Sequence, residues 1–109
     1  MIARAALLVL PLLLLAACQT PAPVATAKVF DYRCTDGRSV QASYPDADTA
    51  VLTLAGYAHR LHIALSADGA RYIGDQWQWW TKGMHDAYLA PLEPGETYAS
   101  ASGVSCHAP

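Results

Sequence analysis

Beyond residue 28, apolar and polar side chains alternate along most of the chain. In "VFDYRC" the residues Phe30, Tyr32 and Cys34 share one face, and "SVQASY" puts Val40, Ala42 and Tyr44 on one side. "AVLTL" contributes Leu52 and Leu54, "RLHIAL" contributes Leu61, Ile63 and Leu65, and Trp77 and Trp79 alternate with Gln78 and Trp80. A period of two is the mark of a strand with one buried face. Asp36-Gly37, Asp68-Gly69 and Gly74-Asp75 are turn pairs between these runs, and Gly83 ends the tryptophan strand. "AYL" makes a further short strand, "APLEPGE" a loop, and "SGVSC" closes the chain. No segment sustains a helical period. The expectation is about eight short antiparallel strands, and a small all-β chain of that kind commonly removes its sheet edges by closing into a barrel. Residues 29–109 are assigned to one such barrel.

The first residues read differently. Arg4 gives a positive start, and "AALLVLPLLLLAA" is apolar but too short to span a bilayer comfortably. With small residues before Cys18, residues 1–17 fit an export signal. "LAAC" resembles a bacterial lipobox, in which cleavage precedes a cysteine that receives lipid, here Cys18. Gln19 at the next position resembles a sorting signal for the outer membrane of a Gram-negative envelope. Residues 18–28 then supply the lipidated cysteine and a Pro/Ala/Thr-rich tether, reaching ~30 Å if extended at about 3.1 Å per residue.

Removing that signal leaves six basic against nine acidic side chains, a net charge of −3. A mildly acidic domain lacks the basic face that nucleic acid requires. The two remaining cysteines, Cys34 and Cys106, lie near the ends of the folded part. In an exported chain they read as a disulfide joining first strand to last. Closing a loop of about 73 residues removes roughly 4 kcal/mol of unfolded-state freedom on the chain-entropy account. That matters in a domain with a thin core.

Candidate chemistry is sparse. His59 and His62 stand three apart on a strand, so they face opposite ways and cannot share a metal ion. His85 and His107 have no ligand-spaced companions. Asp46, Asp48 and Asp68 are separated carboxylates, better suited to solvated loops than to acid/base work. No nucleophile elbow or phosphate loop is present, so neither an enzyme nor a cofactor is expected. Of the tryptophans, Trp77 and Trp79 are expected to fill the core, with Trp80 supporting a neighbouring turn; a sugar-stacking platform is the alternative. Two turns flank this aromatic strand, and a reversal at Gly74-Asp75 would bring Asp68 and Lys82 to one rim.

At these residues the chain resembles the membrane-bound and periplasmic inhibitors of c-type lysozyme. The resemblance rests on "YRC" (32–34), Gly37, "SADGARY" (66–72), "WWTKG" (79–83) and Cys106, covering about residues 29–106. It implies an eight-stranded antiparallel barrel with one disulfide, carried by an outer-membrane lipoprotein facing the periplasm. It further implies that two loops enter the lysozyme cleft and engage its catalytic carboxylates, one through a serine and one through a lysine. In this chain those positions are Asp68 and Lys82, with Ser66, Gly69, Arg71, Tyr72 and Thr81 around them. Asp68 departs from the pattern. A carboxylate donates only when protonated, and an ionised one is repelled by the carboxylates it approaches. Asp68 binds protonated, or it pairs with Lys82 or Arg71 and leaves the contact to Ser66 or the Gly69 amide, or the partner is a different one. A non-inhibitory envelope module binding a glycan or another protein is the alternative function.

Overall fold

The computed structural model describes residues 27–109. The assigned export signal, Cys18 and nearly all of the tether lie outside them. Eight strands follow one another: β1 (Val29–Cys34), β2 (Ser39–Asp46), β3 (Thr49–Leu54), β4 (Tyr57–Ala64), β5 (Ala70–Gly74), β6 (Trp77–Lys82), β7 (Asp86–Pro91) and β8 (Val104–His107). Each pairs antiparallel with the next, and β1 pairs with β8, so the sheet closes into a barrel without edges. The β1–β8 seam is the shortest, with Arg33 opposite His107 and Cys34 opposite Cys106. The disulfide bridges those two cysteines, whose Cα atoms are 3.9 Å apart. The covalent link thus reinforces the place where the hydrogen-bonded ladder is weakest.

Alternation does most of the construction. Tyr32, Val40, Ala42, Leu52, Leu61 and Leu89 point inward and are almost wholly buried. Trp79 is fully buried at the barrel centre, edge-on to the Tyr32 ring at 4.9 Å. The small residues Ala42, Ala50 and Ala87 belong to the same cluster, which makes room for that indole. The indole N–H donates to the Tyr44 hydroxyl at 2.9 Å, so the one polar atom of the central side chain is satisfied.

The structure differs from the sequence expectations at three points. Ile63 is 39 % exposed and Leu65 is 92 % exposed, although they continue the period of Leu61. β3 begins at Thr49, opposite His62, so β4 outruns its neighbour there and Leu65 has already left the sheet. The β5–β6 reversal is made by Asp75 and Gln76, both at positive φ (48° and 67°), rather than by Gly74-Asp75. Gly74 stays in the strand, where a Cβ would meet the Arg60 carbonyl oxygen at 2.9 Å. Finally, Asp68-Gly69 is not a two-residue hairpin: Leu65 to Gly69 form a wider loop between β4 and β5.

The connection from β7 to β8 is long and carries its own small core. Ala90, Leu92 and Ala99 bury against Ile73 on the outer wall of the barrel. Gln78 and Arg71, also outward, are covered by the same segment, and the Gln78 side-chain oxygen accepts from the Ala99 amide at 3.0 Å.

Candidate functional site

One end of the barrel gathers the residues singled out above. The β4–β5 loop and the turn after Lys82 stand side by side there because β5 and β6 are adjacent, with Ala70 opposite Thr81. The Asp68 carboxylate lies 3.4 Å from the Lys82 ammonium, and both side chains are about half or more exposed. Asp68 and Lys82 therefore meet at one rim.

Gly69 explains how the loop is seated. Its φ is +62°, and a Cβ on it would fall 2.1 Å from the Thr81 carbonyl oxygen. Only glycine lets the backbone lie directly on β6 here. The Ser66 hydroxyl donates to the Gly69 carbonyl at 3.3 Å, closing the loop on itself. The Trp80 indole N–H donates to the Asp68 carbonyl at 3.0 Å, tying the loop tip to β6. Trp80 thus supports this turn, as its place in "WWTKG" suggested.

Arg71, Tyr72 and Thr81 are placed differently from Asp68 and Lys82, because all three are buried. Arg71 faces the outer wall and donates twice to the Leu65 carbonyl, at 3.0 and 2.7 Å, and once to the Thr97 carbonyl at 2.7 Å. It clasps the β4–β5 loop to the long β7–β8 connection. Tyr72 points into the barrel mouth, its ring 5.7 Å from that of Tyr44. The Thr81 hydroxyl donates to the Ala70 carbonyl at 3.3 Å.

The mouth between the two loops is a cavity of about 280 Å³ lined by Tyr32, Tyr44, Tyr72, Thr81 and Met84 among others. Burial raises the phenol pKa of all three tyrosines, most strongly at Tyr44, so these side chains keep their protons beyond the ordinary phenol range. The Tyr32 hydroxyl donates to the Met84 carbonyl at 3.2 Å, fixing the second loop to the mouth.

Two rim residues were missed in the sequence. Leu65 was counted as core, and Met84, 62 % exposed at the second tip, carried no pattern at all. Each displays a bare apolar side chain from a backbone that another residue pins. At the far end of the barrel His59 hydrogen-bonds Asp75, and the Arg38 guanidinium lies 5.6 Å from the Trp77 ring centroid. No cluster of three or more metal-ligating side chains gathers among the described residues.

Comparison with known proteins gives one consistent answer. Residues 32–91 match the family described as "Membrane-bound lysozyme-inhibitor of c-type lysozyme". A Cupriavidus necator protein named "Membrane-bound lysozyme inhibitor of C-type lysozyme" is 36 % identical over 73 residues, which are 64 % of this chain. The match spans 58 % of that relative's length. Among solved structures, Pseudomonas aeruginosa MliC in complex with hen egg white lysozyme superposes with a TM-score of 0.52 at 28 % identity. That likeness covers 76 % of this chain and 82 % of the other. With the barrel, the disulfide and a family match over more than half the sequence, the chain belongs to the membrane-bound lysozyme inhibitors of c-type lysozyme.

Proposed function

We propose that the protein binds a c-type lysozyme and blocks its cleft with the rim built from the Asp68 and Lys82 loops. The observation that carries this reading is the exposed ammonium of Lys82, presented beside the Asp68 loop on a rigid barrel end. A lysozyme works with two carboxyl groups, one protonated as acid and one ionised. An ammonium delivered into that cleft pairs with the ionised carboxylate through a charge-assisted hydrogen bond and excludes the polysaccharide. No bond of a substrate is made or broken, so the protein acts as a binding protein and not as an enzyme.

Of the accommodations open to Asp68, pairing with Lys82 is the one its geometry favours. Arg71 is committed to the Leu65 and Thr97 carbonyls. The Gly69 amide and Ser66 are left to approach the enzyme. Arg71, Tyr72 and Thr81 serve by holding the loops in place. The protein acts at the membrane, anchored through lipid on Cys18 in the outer membrane and facing the periplasm, where peptidoglycan needs protection. The export signal in the sequence supports that location, as does the family's membrane-bound character.

The test is lysozyme-driven lysis of cell walls with the oxidised protein added, beside Lys82→Ala. Inhibition by the wild type that disappears in the variant is the expected result. A correctly folded wild type that leaves lysis unchanged would refute the proposal. Asp68 would then mark a barrel that has changed partners.

A further inference from the structure

The two loop tips share one neighbour. Trp80 and Lys82 are two residues apart on β6, so both project from its outer face. The Trp80 indole N–H is bonded to the Asp68 carbonyl at 3.0 Å, and the Lys82 ammonium lies 5.4 Å from the centroid of the same ring. The indole also meets the Tyr98 ring edge-to-face, with centroids 5.9 Å apart and an interplanar angle of 88°. Tyr98 in turn carries the Arg71 guanidinium at 4.8 Å, and Arg71 holds the Leu65 carbonyl. The loop that carries Asp68 is therefore braced at its tip by Trp80 and at its base by Arg71. The lysine rests on the same indole.

A lysine on a flexible stem loses rotamer freedom when a partner fixes it, and that loss is subtracted from affinity. A ring beneath the ammonium restricts the side chain before binding and attracts its charge. An N–H on the same ring fixes the backbone of the neighbouring tip. One side chain thus controls the spacing between the Asp68 backbone and the Lys82 charge.

We propose that Trp80 is the positioning residue of this rim, presenting the Asp68 loop and the Lys82 ammonium to the partner as one pre-organised unit. The proposal deepens the lysozyme-binding reading and rests on it for its consequence. The contact between Trp80 and Lys82 can also be measured in the free protein.

The experiment has two arms. In the free protein, nuclear magnetic resonance reads the Lys82 Hε protons, which the indole ring current shifts upfield. Trp80→Leu abolishes that shift, and Trp80→Phe, which keeps a ring but no N–H, retains part of it. In the bound arm, lysozyme Kd is measured for Trp80→Leu, Lys82→Met and the double variant. Trp80→Leu weakens binding about five- to thirtyfold, from a lost cation–π contact and a lost hydrogen bond. In the Lys82→Met background the same change costs much less, and Trp80→Phe restores part of the affinity. Additive penalties in the cycle would overturn the proposal, because a purely structural tryptophan affects binding regardless of residue 82. A Lys82 signal unmoved by Trp80→Leu overturns it even if wild-type protein fails to bind lysozyme. If Trp80→Leu does not fold, Trp80→Phe decides: a Lys82 signal identical to that of the wild type in that folded variant refutes the positioning role.

Discussion

Replacing Asp68 with serine should tighten binding to a c-type lysozyme. In the free protein the Asp68 carboxylate sits 3.4 Å from the Lys82 ammonium with both groups well exposed. A pair of that kind is worth about 0.2–1 kcal/mol, and part of it is given up when Lys82 turns toward the enzyme. The larger cost is repulsion. If Asp68 enters the cleft ionised and comes within roughly 8 Å of the enzyme's ionised carboxylate, Coulomb's law at an effective dielectric of about 20 gives roughly 2 kcal/mol. Removing both costs yields a gain of about 1–3 kcal/mol, or roughly five- to a hundredfold in Kd. Asp68→Asn, which keeps the shape and loses the charge, should recover most of it. Titration calorimetry at low and high salt is the assay, because screening should shrink the gain as ionic strength rises. Equal or weaker binding by a folded Asp68→Ser variant at low salt would show that Asp68 makes a favourable contact and that the repulsion argument is wrong.

Three further outcomes follow from the same geometry. Gly69→Ala should lower stability by about 2 kcal/mol or more, since it adds left-handed backbone strain to a clash with the Thr81 carbonyl; thermal unfolding reads the loss. Leu65→Ser should leave the melting temperature nearly unchanged, because the side chain is 92 % exposed, while weakening lysozyme binding several-fold if the rim is the contact surface. Raising the pH should unfold the protein above the ordinary phenol range. Tyr32, Tyr44 and Tyr72 have raised folded-state values, so above about pH 10 the unfolded chain releases protons that the folded one keeps. Stability then falls by about 1.4 kcal/mol per pH unit for each lagging phenol, and Tyr44→Phe should flatten that slope.

Much of the barrel could be read along the chain, because a period of two is a local property. Tyr32, Val40, Ala42, Leu52 and Trp79 share faces wherever the strands go, and burying those faces while leaving no edge leads toward closure. The disulfide was legible for a similar reason, as two cysteines at opposite ends of a single domain. Asp68 and Lys82 were singled out through their motifs, and their meeting at one rim needed only an odd number of reversals between them.

What the chain alone left undecided depends on register and on which neighbour a strand outruns. Leu65 and Leu61 look identical by period, yet one is in the core and the other in solvent, because β3 starts too late to cover the end of β4. Arg71 was expected among the residues that meet the partner, yet it is buried because twelve residues far along the chain fold back over the outer wall. The partnership of Asp68 with Lys82 and of both tips with Trp80 is likewise a product of adjacent strands. Local alternation determines which face of a strand is apolar; only closure of the sheet determines what stands next to it.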